Sequence, residues 1–232
     1  MELIDILISK GYLKTQRIIR AFQKIKREDF LPEDLKKVSQ LNEALPIGFG
    51  QTISQPLVVA FMLELLQPKE GEKILDIGSG SGWTSALLAH IVSGGELKSK
   101  IKNKKSKIDG RVIAIEVIPE LKEFGKKNVA KYNFIEKGIV EFICTDGSKG
   151  YQKEAPFDKI LASASAEKLP LVWKEQLKIG GRIVTPIGSS IWLFEKKTPS
   201  FAKATEGEET EFIKTEYPGF AFVPLISKNE KE

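Results

Sequence analysis

Three glycines spaced two residues apart, Gly78, Gly80 and Gly82, sit in the segment ILDIGSGSGW at residues 74–83. An apolar run precedes them and a helical pattern follows. Glycine at such a turn permits positive φ and lets a ligand approach the backbone closely. The helix beyond presents unpaired amide donors at its N-terminus. A ligand-free tight turn would account for the triplet alone. Asp76, two residues before Gly78, narrows the chemistry. Dinucleotide loops read G-x-G-x-x-G and hold a pyrophosphate, whereas this loop is G-x-G-x-G and a carboxylate beside it would repel phosphate. A carboxylate suits a cation or a hydrogen-bond donor. S-adenosylmethionine, with a sulfonium, an amino group and no phosphate, fits that charge pattern, and Ser79 falls within the same loop.

Two further acidic residues extend the pattern. Glu116 ends VIAIE, where a carboxylate can accept hydrogen bonds from both hydroxyls of a ribose, and Val117 follows it. Its separation from the glycines exceeds the usual ~20 residues, and a basic insertion between them accounts for the excess. Asp146 and Gly147 end VEFICTD, a position from which Asp can hold an adenine amino group. Taken singly, each acidic residue reads as a turn former. Together, at the carboxyl ends of three successive strands, they mark the place where open α/β sheets bind ligands. Acid–base groups are otherwise few. The one histidine, His90, falls on the helix after the glycine loop, where packing is the simpler reading than general-base work. No His/Cys cluster has metal-ligand spacing, so no metal site is expected. The one cysteine, Cys144, excludes an internal disulfide framework and suits a reducing compartment.

The elements that must position these residues follow from periodicity. Residues 1–30 read as helical, and Pro32 and the polar run after it end the pattern. Residues 45–54, LPIGFGQTIS, read as a glycine-containing loop, and a helix follows from about Gln55 to Leu66. From Lys73, strand and helix alternate: strands at 73–78, 111–117, 140–146, 157–165 and 181–188, helices at 83–92, 119–132 and 167–178. That order predicts an α/β fold, a doubly wound, mainly parallel sheet. SIWLFEK (190–196), EFIKTEY (211–217) and GFAFVPL (219–225) lack intervening helices and should close the sheet with antiparallel strands. The expectation is one domain over residues 1–232, with a helical and active-site-loop extension at 1–54 and polar insertions at 94–110 and 198–210.

The net charge of +5 raises the question of nucleic acid. Between Gly94 and Arg111 lie Lys98, Lys100, Lys102, Lys104, Lys105, Lys107 and Arg111 against Glu96 and Asp109, so this one segment carries the whole excess. A nucleic-acid surface spreads its charge over a folded face and offers aromatic residues for stacking; this segment has none. No nucleic-acid partner is expected. The longest apolar run, Pro56 to Leu66, is broken by Glu64 and too short for a bilayer, and the N-terminus lacks the marks of a secretory signal. A cytoplasmic protein with no membrane partner is the expectation.

With these residues in view, the chain resembles the protein-L-isoaspartate O-methyltransferases. The resemblance covers nearly all of it apart from the two insertions. The selective segment is LPIGFGQTISQPLVVAFMLELL (45–66), directly upstream of ILDIGSGSG. CTDGSKGYQKEAPFDKILASASA (144–166), LKIGGRIVTPIG (177–188) and the closing YPGF and FVPL are also similar. The resemblance implies methyl transfer from S-adenosylmethionine to the free carboxylate of isoaspartyl residues in damaged proteins and peptides, by a monomer. It implies that Ser54 is the active-site residue and that Thr52, Ile53 and Gln55 border cofactor and substrate. From the residues alone, Ser54 reads first as an N-cap for the helix after it. Pro186, Ile187 and Gly188 are candidates for the other wall of a peptide pocket. Two alternatives stay open: a methyltransferase of the same fold acting on a small molecule or RNA, and a non-catalytic cofactor-binding protein.

Overall fold

Alternate residues of a strand face opposite sides of its sheet, and the run Ile74-Leu75-Asp76-Ile77 shows how this chain uses both. Ile74 joins a large core cluster under the helices, while Leu75 and Ile77 join a smaller cluster on the far face around Trp173 and Phe157. Asp76, two residues after Ile74, therefore looks toward the helices. The computed structural model describes residues 3–95, 110–198 and 211–226. Most of both expected insertions, 96–109 and 199–210, lies outside the described residues.

In chain order the elements are α1 (Leu3–Ser9), α2 (Gln16–Lys24), 3₁₀ turns at Arg27–Phe30 and Glu33–Val38, β1 (Leu45–Gly48), β2 (Gln51–Ile53), α3 (Pro56–Leu66), β3 (Lys73–Ile77), α4 (Trp83–Val92), β4 (Arg111–Glu116), α5 (Pro119–Ala130), β5 (Val140–Cys144), β6 (Phe157–Ala162), α6 (Leu171–Glu175), β7 (Leu177–Ile187), β8 (Ser190–Lys197) and β9 (Glu211–Pro218). Strands β3 to β9 form one sheet in the order β5-β4-β3-β6-β7-β8-β9. β3 to β7 pair in parallel, and β8 and β9 are antiparallel additions. The chain winds from β3 out to β5, then returns to place β6 on the other side of β3. Ligands bind at such a switch point, outside the carboxyl ends of the strands. Every residue of α4 is buried, because the N-terminal extension packs over it and leaves the helix no solvent face. Among the described residues, no helix is long and apolar enough to cross a membrane.

Five expectations need correction. Residues 45–54 form a two-stranded hairpin, Leu45 opposite Ile53 and Pro46 opposite Thr52, turned at Phe49 and Gly50, both at positive φ. The N-terminal helix is two helices, parted near Gly11 at φ +72°. The helix expected at 167–178 shrinks to Leu171–Glu175, behind Pro170. β7 starts four residues early, at Leu177; between Phe157↔Leu177 and Lys159↔Arg182 its residues 178–181 bulge out of register. Finally, residues 219–225 form no strand. Their one ladder contact is an isolated bridge, Ser165↔Pro224, since Pro218 and Pro224 lack the amides a ladder needs.

A cross-chain hydrogen-bond set holds the extension in place. Glu64 of α3 accepts from Lys14 N (2.8 Å), Thr15 N (2.7 Å) and Thr15 Oγ1 (2.6 Å), so a carboxylate from another helix ties down the two residues that lead into α2.

Candidate active site

At the carboxyl ends of β3, β4 and β6 lies a cleft of about 570 Å³. The glycine loop from Gly78 to Ser81 forms its floor. Glu116 to Ile118, Gly147 and the pair Ser163–Ala164 line its sides, and the β1–β2 hairpin with residues 51–55 closes one flank. Among the described lining residues there is no lysine, arginine or histidine; the charged groups are Glu43 and Glu116. Such a lining repels phosphate and favours a ligand that brings positive charge and hydrogen-bond donors.

The carboxylates divide into different roles. Glu116 is 6% exposed and fixed by three backbone amides: Gly80 N donates to Oε2 (2.9 Å), and Val117 N and Ile118 N donate to Oε1 (2.9 and 3.1 Å). It therefore ties the glycine loop to the end of β4 and keeps lone pairs for the cleft. Asp76 is fully buried and lies one layer behind the lining. Its Oδ2 accepts from Ser85 Oγ (2.6 Å) and Thr84 Oγ1 (3.0 Å), while Oδ1 is buried without a protein partner. Burial pushes its carboxyl up to about 6, hydroxyl donation from Ser85 and Thr84 pulls it back, and the charge of Glu116 adds to the rise. Asp146, also buried, accepts from Ser148 N (2.9 Å) and Ser148 Oγ (2.7 Å) and so shapes the 3₁₀ turn that begins at Gly147. Gly147 lines the cleft and Asp146 supports it from behind.

The glycines divide as well. Gly78 and Gly80 line the cleft at positive φ. Gly82 does not: a Cβ there would meet Gly125 O and Val129 Cγ2, both at 2.8 Å. Its role is to let α5 close on the loop.

Ser54 follows β2 and lines the cleft with Thr52, Ile53 and Gln55. It does not cap α3. The helix starts at Pro56 with Gln55 in the cap position, and Asn42 Oδ1, from the extension, accepts from Leu57 N (2.9 Å). The Ser54 hydroxyl makes no hydrogen bond among the described residues, and its carbonyl accepts from Arg27 NH2 (3.3 Å). The hairpin and the glycine loop touch: a Cβ at Gly80 would lie 3.3 Å from Ile47 Cδ1. Ser54 and the loop are thus two walls of one space.

Pro186, Ile187 and Gly188 lie outside the lining. Residues Ile187 and Ser190 pair across a tight β7–β8 turn, where Pro186 O and Gly188 O accept from Ala166 N and Ser165 Oγ, behind the wall. Residues 219–226 form that wall instead. Ser189 O accepts from Gly219 N and Phe220 N, Ser165 N donates to Val223 O, and Leu225 N donates to Ser165 O. Phe220 stacks on Phe61 of α3 with ring centroids 5.4 Å apart. The alternation of GFAFVPL signalled an apolar contact surface but not whether a strand or a wall would use it. His90 is buried in α4, away from the lining, and among the described residues no cluster of His, Cys, Asp and Glu could hold a metal.

The family model for protein-L-isoaspartate(D-aspartate) O-methyltransferase (PCMT) matches residues 1–230. A protein-L-isoaspartate O-methyltransferase of Methanopyrus kandleri is 40% identical over 231 residues, 98% of this chain and 91% of the relative. One from Aeropyrum pernix is 38% identical over 232 residues, covering 99% and 80%. A solved protein-L-isoaspartate O-methyltransferase superposes with a TM-score of 0.78 at 25% identity over 97% of this chain; the chain spans 65% of that structure's length. A Plasmodium falciparum protein solved in complex with S-adenosyl-L-homocysteine shares the fold, with a TM-score of 0.75 at 22% identity over 97% and 96% of the two chains. A glycine loop under a carboxylate-lined cleft, an unengaged serine across from it and a family match along nearly the whole length lead to one assignment: the chain belongs to the protein-L-isoaspartate(D-aspartate) O-methyltransferase family.

Proposed function

We propose that this protein methylates the free carboxylate of L-isoaspartyl residues in damaged proteins and peptides, with Ser54 as the residue that holds the carboxylate for transfer. The observation that carries the reading is a cleft lined, among the described residues, by two carboxylates and no basic side chain, with the Ser54 hydroxyl unengaged on its wall.

The residues present fit S-adenosylmethionine. Ser79 Oγ, buried without a protein partner in the lining, would serve the amino-acid end, with Asp76, fixed by Thr84 and Ser85, adding its negative charge from one layer behind. Glu116, preset by three amides, would take the ribose hydroxyls. Gly147, shaped by Asp146, would border the adenine, and Thr52, Ile53 and Gln55 would flank the transfer point. When bound, the cofactor supplies a methyl group on a positively charged sulfur.

The protein has little acid–base work to do. A carboxylate with an ordinary pKa near ~4 is ionised at neutral pH and needs no general base. Its oxygen would take the methyl carbon that the bound cofactor supplies, and the pair of the carbon–sulfur bond would leave with the sulfur. Ser54 donates to the carboxylate and holds it without a basic partner, which would draw off the charge that makes it nucleophilic. The apolar Ile53, Val58 and Val59 in the lining keep water away. Positioning of this kind can supply about 7–11 kcal/mol. A cytoplasmic setting suits the single free thiol, Cys144.

The test is transfer of a labelled methyl group to paired peptides that carry isoaspartate or aspartate at one position. Transfer to the isoaspartyl peptide alone, with methanol released by alkali, is expected. Transfer to both or to neither overturns the substrate, and intact S-adenosylhomocysteine binding without any transfer favours a non-catalytic protein. Ser54→Ala should lower kcat at least about tenfold and change the Kd for S-adenosylhomocysteine less than about threefold, as expected for an interaction made mainly with the reacting group.

A further inference from the structure

Arg27 is 5% exposed, and among the described residues no carboxylate pairs with it. A buried guanidinium without a counter-ion is costly unless its donors are satisfied. Here the two terminal nitrogens find main-chain carbonyls, while Nε is buried without a partner among the described residues. NH1 donates to Ser39 O and Leu41 O, both at 3.0 Å; NH2 donates to Glu43 O (2.7 Å) and Ser54 O (3.3 Å). The guanidinium also lies over the ring of Trp83, 5.5 Å from its centroid, at the start of α4 beside the glycine loop. Burial lowers its pKa to about 10, so it stays charged at neutral pH.

These four carbonyls belong to two stretches, residues 39–43 and Ser54, and both reach the cleft: Asn42, Glu43 and Ser54 are in its lining. Asn42 joins the same stretches a second time, since its carbonyl accepts from Gln55 Nε2 (2.8 Å) and its side chain caps α3. The Ser54 hydroxyl has no hydrogen bond of its own to orient it. Its place in the cleft is set by its backbone, and the backbone is held at its carbonyl by Arg27. Five N–H donors in a planar fork suit a cluster of carbonyls, whereas a lysine ammonium is a point donor on a flexible stem.

We infer that Arg27 is a positioning residue for methyl transfer, fixing the Ser54 peptide against the Trp83 end of the glycine loop so that the Ser54 hydroxyl faces the reacting carboxylate. The inference rests on the reading of Ser54 given above. It is distinct from a general stabilising role, because it requires the effect of Arg27 to pass through one side chain.

A double-mutant cycle tests this. Arg27→Met is expected to lower kcat for an isoaspartyl peptide about tenfold or more, to leave the calorimetric Kd for S-adenosylhomocysteine within about threefold, and to speed amide exchange over residues 51–55. In the Ser54→Ala background the same substitution should change kcat less than about threefold. Arg27→Lys, which keeps the charge and stem but loses the fork, covers the case in which the Met variant does not fold and should recover only part of the turnover. All assays are run at least about 15 °C below each variant's midpoint. An equal loss of turnover with and without the Ser54 hydroxyl overturns the inference, as does a parallel loss of S-adenosylhomocysteine affinity. If Ser54→Ala alone leaves kcat unchanged, the reading of Ser54 fails first and the role of Arg27 falls with it.

Discussion

Asp76 carries a charge at neutral pH in a place water does not reach. Burial has moved its carboxyl from the ordinary 3.8 to about 6, and the direction of that move fixes a pH dependence. Between about pH 4 and 6 the folded chain keeps a proton that the unfolded chain has released. Stability from this group is therefore present below about pH 4 and is lost as pH rises through about 6. About two units correspond to about 3 kcal/mol. Asp76→Asn should abolish this slope, so denaturant titrations of the two proteins at pH 4 and pH 7 should show a stability difference that changes by roughly this amount. A constant difference would mean that burial is not the cause. Sequence spacing placed Asp76 by the loop, and strand parity with Ile74 explains why it lies one layer behind. Spacing could not show that Thr84 and Ser85, in the first turn of α4, would engage one oxygen and leave the other bare. Arg27 was not legible at all, since a cluster of main-chain carbonyls leaves no pattern of residue types.

At the level of elements, periodicity served where packing matched local preference. α4 and β8 fall within a residue of their expected bounds, because a buried helix and a long antiparallel strand carry strong, unbroken patterns. The segment after Pro218 did not behave as a strand, because alternating apolar residues are also what a wall packed on α3 requires. That wall should depend on its aromatic tether. Phe61 contacts Phe220 at 5.4 Å and Tyr217 at 5.2 Å between centroids, and each such pair contributes about 0.5–1.5 kcal/mol beyond area burial. Phe61→Ala should weaken S-adenosylhomocysteine binding about tenfold by calorimetry, since about 1.4 kcal/mol is tenfold in affinity. An unaltered Kd would show that the wall holds without the tether. The N-terminal extension has its own anchor. Glu64→Ala removes the acceptor for Lys14 N and for both Thr15 donors, and donors left without a charged acceptor cost about 1–3 kcal/mol. Chemical denaturation should register that loss, and amide exchange should place it in α2.

At the scale of the whole molecule, the basic segment should be separable from the site. Gly95 N donates to His90 O, and a Cβ at Gly110 would meet Val92 O at 2.1 Å, so the described residues on either side of 96–109 both rest on the last turn of α4. A short glycine–serine linker can join them, and loop closure changes only by about 0.6 kcal/mol per doubling of length. Replacing 96–109 in this way should keep kcat within about twofold while retention on a cation exchanger falls, since the segment carries most of the +5 charge. A large loss of turnover would give the segment a part in catalysis.

The closeness of α5 to the glycine turn has a consequence for how the molecule can fail. A methyl group at Gly125 would stand 2.7 Å from Gly80 O, far inside contact distance, and close-packed interiors pass such a push on rather than absorb it. The turn lines the cavity, so a push from this side would press it that way. The binding site thus has a vulnerable rear: one added carbon on an outer helix, touching neither substrate nor cofactor, would narrow the space they share.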